Sequence, residues 1–232
     1  MIEKINRAYK TELNPTKEQV DLFFKTANAA RFIWNWGLDM RIKAYQERKE
    51  TLTAYTQTKL LTIYKKENLW LYGVSSSSLY SILFDLEDAF KHFFRRLKTG
   101  EKPGFPKFKS RYDDKKFTLT GCIHVKESAI QLPTFGTVKL KENGYFPVEN
   151  IKINSSTISQ KSNRWFVSIQ CEEDINIQKA IGESIGIDLG ISNLITTSDG
   201  VKFENNHTLV KHEKRLRRLQ RQLSRRKKGS HG

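Results

Sequence analysis

Cysteine is scarce. Cys122 and Cys171 stand far apart and belong to no C-x-x-C pair. A disulfide scaffold and an all-cysteine zinc site are disfavoured, so no zinc is expected, and a reducing cytoplasm fits best. Long apolar runs are missing as well. None approaches the ~18 to 20 residues of a membrane span, which excludes an integral membrane protein. The opening Met1-Ile2-Glu3-Lys4-Ile5-Asn6-Arg7 has no apolar stretch behind it, and no signal peptide is expected. Acids are the third shortage: 25 Asp and Glu face 41 Lys and Arg, a formal net charge of +16. That excess points to a polyanion, either nucleic acid or an anionic surface.

What is present argues against disorder. Apolar residues make up 38% of 232 residues, with 4 Trp, 8 Tyr and 14 Phe, enough for a real core in one or two domains. The charge is uneven. Between His207 and Lys228 lie ten Lys or Arg and one acid, Glu213, so more than half of the excess sits in one C-terminal segment.

Periodicity divides the chain. Ile5, Tyr9 and Leu13 share one face of a two-residue alternation, consistent with a strand. Asn14-Pro15-Thr16 then offers a helix start, with Thr16 and Gln19 spaced as a capping box. Val20, Phe23, Phe24, Ala27, Arg31, Trp34 and Leu38 follow at helical spacing. A second helix is expected over Thr56 to Lys66. A third, from about Ser75, carries Leu79, Ile82, Leu83, Leu86, Phe90, Phe93 and Leu97 as its stripe, and the three read as a bundle. A basic loop punctuated by Gly and Pro begins at Thr99. Short runs at Phe117–Thr120, Ala129–Leu132, Thr137–Leu140, Ile151–Ile158 and Trp165–Cys171 suggest a small antiparallel barrel or sandwich that the first strand is free to join. A last block begins at Ile185 with a buried-looking strand, continues through a hairpin at Ser198-Asp199-Gly200, and ends in a basic helix. Trp34, Trp36, Trp70 and Trp165 are assigned to the core, and the five histidines show no metal-ligand spacing.

Three segments carry chemistry. In Ile185-Gly186-Ile187-Asp188-Leu189-Gly190 a carboxylate sits alone in an apolar strand, an expensive arrangement unless a metal or hydrogen bonds compensate it. The string suits the first strand of RNase H-like nucleases; it also opens sugar-kinase and actin-like folds, and the plain alternative is an Asp bonding nearby amides. The loop from Lys102 to Arg111 mixes cations with Phe105 and Phe108, as phosphate contacts plus base stacking require, or as a solvated linker would. The tail helix places Leu209, Leu216, Leu219 and Leu223 on one stripe, either a docking face or a dimer seam, so the oligomeric state stays open.

Further runs are Ala8-Tyr9-Lys10, Ala30-Arg31-Phe32-Ile33-Trp34-Asn35, Leu86-Glu87-Asp88-Ala89-Phe90-Lys91-His92-Phe93-Phe94, Gly104-Phe105-Pro106-Lys107-Phe108-Lys109, and Leu223-Ser224-Arg225-Arg226-Lys227-Lys228-Gly229-Ser230. With Gly186-Ile187-Asp188-Leu189-Gly190, and in this order, the chain resembles the TnpB (OrfB-type) transposon-encoded RNA-guided nucleases, relatives of the type V CRISPR effectors. The resemblance implies an α+β fold: a β-barrel wedge domain (1–14 and 99–182), an inserted helical-bundle recognition domain (15–98), and an RNase H-like, RuvC-type segment (183–232). It implies a guide RNA and double-stranded target DNA as partners, in a bacterial cytoplasm at the nucleoid. RNA contacts are expected at Lys102, Lys107, Phe108, Lys109, Arg111, Arg217, Arg218, Arg221, Arg225, Arg226 and Lys227. A DNA motif flanking the target is expected to be read by Tyr55, Ser76, Ser77, Tyr80, Thr118 and Thr120.

The family continues beyond this point to a catalytic Glu, a zinc ribbon of two C-x-x-C pairs and a final Asp. After Asp188 the acids here are Asp199, Glu204 and Glu213. One Asp does not assemble a two-metal site, so Asp188 is expected to be vestigial, with no divalent metal. The expectation is therefore a non-enzyme: a nuclease-dead, RNA-guided DNA-binding protein that represses transcription. The rival is a fragment or relic of an active transposon-encoded endonuclease.

Overall fold

A computed structural model of the chain describes residues 2–148, 151–176, 182 and 184–226. They form an α+β fold that divides into two compact units, Met1–Ile177 and Gln178–Gly232.

The first unit opens with β1 (Ile2–Asn14), whose extended run breaks at Pro15. The Thr16 hydroxyl accepts the Gln19 N–H at 3.3 Å, and the Gln19 side chain accepts the Thr16 N–H at 3.0 Å, forming the expected capping box. The Gln19 amide also donates to the carbonyls of Phe135 and Thr137 at 3.2 and 3.0 Å, so one cap fixes both a helix start and its place on the sheet. Then come α1 (Lys17–Arg48), α2 (Ala54–Glu67), a 3-10 turn (Leu69–Gly73) and α3 (Ser76–Thr99). Six strands follow: β2 (Lys116–Leu119), β3 (His124–Val125), β4 (Ala129–Leu132), β5 (Gly136–Leu140), β6 (Ile151–Lys161) and β7 (Arg164–Asn176). With β1 they make one antiparallel sheet in the order β2-β6-β7-β1-β5-β4-β3. β1 joins the later strands as expected, pairing with β7 from Ile2 to Glu12 and with β5 at Leu13 and Asn14. No pairing of β2 with β3 closes the order among the described residues, so the expected barrel is, by its hydrogen bonds, an open sheet.

Helices and sheet share one apolar core. Phe23 of α1 lies 5.1 Å from both the Phe135 and Trp165 rings and 6.0 Å from Phe117. Burying such a ring contributes about 1.5 to 3 kcal/mol. Trp34 and Trp165 are core as expected; Trp36 is half-buried, and Trp70 is exposed on the 3-10 turn, where it packs edge-on against Phe32.

A polar network ties α1, α2 and α3 together inside this core. Gln57 donates to the Gly37 carbonyl at 2.7 Å and accepts from Arg41 Nε at 2.7 Å. Arg41 Nη2 stands 3.6 Å from Glu87, which accepts the Ala54 N–H at the start of α2. The Ala54 N–H, then the charges of Lys91 and Arg41, hold the Glu87 carboxyl below its usual range. Gly37 lets α1 approach α3 closely, since a Cβ there would stand 2.8 Å from Leu83 Cδ2 and the buried leucine would have to shift.

The second unit is a three-stranded antiparallel sheet, β8 (Ile187–Leu189), β9 (Asn193–Thr197) and β10 (Lys202–Glu204), with the basic helix α4 (Thr208–Arg225). The hairpin at Ser198-Asp199-Gly200 is present, with Gly200 at φ +83°. The buried strand expected at Ile185 is overturned: Ile187 is 62% exposed, Leu189 74%, and Asp188 is exposed. An apolar run buries only when a second layer covers it, and among its own described residues this unit lays none over β8. Cys122 and Cys171 are free; burial, aided by Glu173, pushes the Cys171 thiol up to about 11, which leaves it inert.

Candidate nucleic-acid interface

The basic loop after α3 is fixed in place. Trp34 Nε1 donates to the Lys107 carbonyl at 2.9 Å. Asn35 Nδ2 donates to the Lys109 carbonyl at 2.9 Å, and the Lys109 N–H donates back to Asn35 Oδ1 at 2.7 Å. The Lys109 ammonium lies 3.8 Å from the centroid of the Trp34 ring, a close cation–π contact. Pro106 is buried, and Phe105 meets Phe90 and Phe93 edge-on at 5.5 and 5.4 Å. Two sequence runs about 70 residues apart are therefore one structural unit: the Trp34-Asn35 turn of α1 holds the backbone of Lys107 to Lys109.

Clamping the backbone leaves some side chains outward and turns Lys109 onto Trp34. Lys102, Lys107, Phe108 and Arg111 are exposed, and Lys109 is half-buried. Burial and the neighbouring Lys116 lower the pKa of Lys109, opposed by Asp85 and Asp113. Arg31, Lys115 and Lys116 gather with Lys109, Ser110 and Arg111 around a small pocket. The sequence reading missed those three. Their signal was present: Arg31 stands three residues before Trp34, and Asp113-Asp114-Lys115-Lys116 is a charged run that a solvated loop does not require.

The residues expected to read a flanking motif lie on three elements. Tyr55, on the first turn of α2, is 71% exposed and edge-on to Phe84 at 5.3 Å. At the start of α3, Ser76 Oγ accepts from the buried Lys65 ammonium at 2.8 Å, Ser77 Oγ pairs with Ser75 Oγ at 3.1 Å, and Tyr80 is half-buried against the core. Ser75 is the N-cap but makes no side-chain cap bond, so plain N-capping does not account for the four serines. On β2, Thr118 bonds across the sheet to Thr157 at 3.0 Å, and Thr120 is exposed just beyond its end.

In the second unit Asp188 pairs in register with Thr196. Gly190 closes the following turn, where a Cβ would come 2.9 Å from the Asn193 carbonyl. Among the described residues no three His, Cys, Asp or Glu converge to hold a metal ion. Arg217, Arg218, Arg221 and Arg225 lie exposed along α4, Arg217 paired with Glu213, and Arg226 is its C-cap. Leu216, Leu219 and Leu223 are exposed between them; the side chain of Leu209, and all of Lys227, fall outside the described residues. No described helix is long and apolar enough to cross a membrane.

Residues 1–50 match a family of the OrfB/IS605 type described as a helix-turn-helix domain, and residues 167–232 match one described as a probable transposase. Here the first stretch builds one strand and one long helix. The chain is 31% identical over 231 residues to the putative RNA-guided DNA endonuclease InsQ of Escherichia coli (strain K12), covering 97% of this chain and 55% of that one. A putative RNA-guided DNA endonuclease of Streptomyces pristinaespiralis is 29% identical over 236 residues, covering 99% and 57%. The chain thus spans about half the length of the curated relatives it matches. The cryo-EM structure of a Cas12f1–sgRNA–target DNA complex superposes with a TM-score of 0.39 at 14% identity, covering 95% of this chain and 62% of that one. The relatives correct one expectation. They are named as enzymes, and nothing shows this chain to be inactive, so its assignment as a non-enzyme is overturned.

Proposed function

Since the chain belongs to the OrfB family of IS605-type transposases, we propose that it holds a guide RNA and presents it to double-stranded target DNA. The observation that carries this reading is the clamped loop. A backbone held by Trp34 and Asn35 offers Lys107 and Arg111 as exposed cations beside the Phe108 ring, with Lys109 turned back onto Trp34. Phosphates of an RNA strand take the cations and an unpaired base stacks on the ring. Because the loop is already ordered, binding does not carry the full entropic cost of fixing it.

In this reading 1–14 and 99–182 act as the wedge, 15–98 as the recognition domain and 183–232 as the RuvC-type part, with α4 supplying further phosphate contacts through Arg217, Arg218, Arg221, Arg225, Arg226 and Lys227. Base pairing reads the target sequence, while the protein reads a short flanking motif through Tyr55, Ser76, Ser77, Tyr80, Thr118 and Thr120. The site of action is the bacterial cytoplasm, at the nucleoid. Cleavage is the named activity of relatives of which this chain spans about half; the part proposed for this chain is RNA holding and DNA engagement. Repression by bound, uncut complexes requires an inactive nuclease, and nothing shows this chain to be inactive.

The test is to purify the full chain from cells, sequence the RNA it retains, and offer duplex DNA matched or scrambled against that RNA. A defined RNA species and capture of matched duplex alone are expected. An RNA-free protein, or capture indifferent to complementarity, would refute the reading.

A further inference from the structure

The end of α1, the segment leading to α2, the C-terminal half of α3 and the tip of the basic loop enclose an open cavity of about 600 Å³. Its walls include Tyr45, Phe90, Phe93, Phe94 and Phe105, and it has Arg41 among its lining. That volume lies within the ~300 to 1,000 Å³ of pockets that take small organic molecules. Three of the rings keep about half their surface open: Tyr45 57%, Phe94 51% and Phe105 47%. Rings left half-covered around one cavity are an unusual expense for a fold that buries Phe23, Phe117 and Phe135 completely or nearly so.

The remaining lining is mixed: Ile42 and Leu52 are aliphatic, and Glu50 adds a carboxylate that Arg48 pairs at 3.1 Å. Arg41 is 8% exposed, and its guanidinium is engaged within the fold, Nε on Gln57 at 2.7 Å and Nη2 3.6 Å from Glu87. Gln46 and Thr51 add an amide and a hydroxyl. The neighbouring chain is cationic: Arg95 and Lys98 follow Phe94 on α3, Lys102 and Lys107 flank Phe105, and the Lys49 ammonium lies 5.2 Å from the Tyr45 ring centroid. Among the described residues none of these five cations forms an ion pair, whereas the nearby acids Glu47, Glu50 and Glu101 are matched by Arg48 and Arg96. A partner that presents a flat π-face, a polar edge and flanking anions complements the rings, the amide and the unpaired cations. An aliphatic protein side chain complements only the first.

We propose that this cavity receives one unstacked base of single-stranded RNA, its face against Phe94 and Phe105, its edge toward the Gln46 amide, and its phosphates on Arg95 and Lys102. Thr51 at the rim suits a ribose 2′-hydroxyl. The inference rests on the reading of the chain as an RNA holder and adds a base site distinct from the Trp34–Asn35 clamp.

The probe is a short oligoadenylate RNA carrying one 2-aminopurine, titrated into the full chain, with an abasic version and an all-deoxy version alongside. Phe94→Ala, which leaves the Phe105 anchor of the basic loop in place, should weaken binding about tenfold, as loss of a stacking platform does, and abolish the 2-aminopurine signal change. The slope of affinity against salt should stay as in the parent, because the phosphate contacts remain. The Phe94 ring is about half exposed, so the fold should survive, checked by circular dichroism. Parent-like binding by the variant would overturn the base site and leave the clamp reading standing, as would equal affinity for abasic RNA. Tighter binding of the all-deoxy strand would overturn the choice of RNA. Failure of the unmodified chain to bind RNA at all would instead refute the proposed function.

Discussion

Asn35→Ala removes two hydrogen bonds that one side chain makes to one residue of the basic loop. Both the N–H and the carbonyl of Lys109 lose their partner, at 2.7 and 2.9 Å. Each such bond contributes about 0.5 to 1.5 kcal/mol net, so the loop should open more readily by about 1 to 3 kcal/mol. Trp34 still holds Lys107, and Phe105 still packs against Phe90 and Phe93, which confines the loss to the loop. Converted to an equilibrium, that is a roughly 5- to 150-fold rise in the open population. Native-state hydrogen exchange at the Lys109 amide is the assay, since this proton is the one donated to Asn35. Its exchange should accelerate by that factor while amides in the middle of β7 keep their rates. Unchanged protection at Lys109 would show that the loop is held by something other than this clamp; equal acceleration across the unit would show that Asn35 supports the whole fold.

The Glu87 network should respond to acid with a definite sign. Its carboxyl titrates lower folded than unfolded, so its contribution is full above the unfolded value near ~4.3 and is lost as pH falls through the lower folded value. The gap in melting temperature between the parent and Glu87→Gln should therefore narrow from pH 7 to pH 3, and a pH-independent gap would contradict the network. Gly37→Ala gains up to about 1 kcal/mol of helix propensity but drives a Cβ to 2.8 Å from Leu83, an overpacking that costs about 1 to 3 kcal/mol, so urea unfolding should show net loss rather than stabilisation. Removing residues 212–232 takes away nine Lys and Arg, and four lost phosphate contacts at ~0.7 each would flatten the salt dependence of RNA affinity by about three. An unchanged slope would assign α4 to protein contacts.

Much of the fold was legible because it is local. The Thr16–Gln19 cap, the α1 stripe and the ends of β4 depend on neighbours a few residues away, and pattern alone finds them. The clamp was not legible in the same sense. Trp34 and Asn35 meet Lys107 and Lys109 across more than 70 residues, and a tryptophan at helical spacing reads as core whether or not its Nε1 holds a loop. The Ile185–Leu189 run failed for the opposite reason. Its composition predicts burial, but burial depends on a covering layer, which a strand's own sequence does not specify. Closure was not legible either: strand identity alone does not settle whether β2 and β3 pair, and so does not choose between a barrel and a sandwich.

The clamped loop is most directly tested by replacing its two outward cations, Lys107→Ala with Arg111→Ala, and measuring RNA affinity across a range of salt. Both side chains are exposed and neither forms an ion pair among the described residues, so the fold has little reason to change. Loss of two phosphate contacts at ~0.7 each should flatten the slope of log affinity against log salt by about 1.4, with weaker binding at low salt. A slope and an affinity equal to those of the parent would mean that RNA does not lie along this loop.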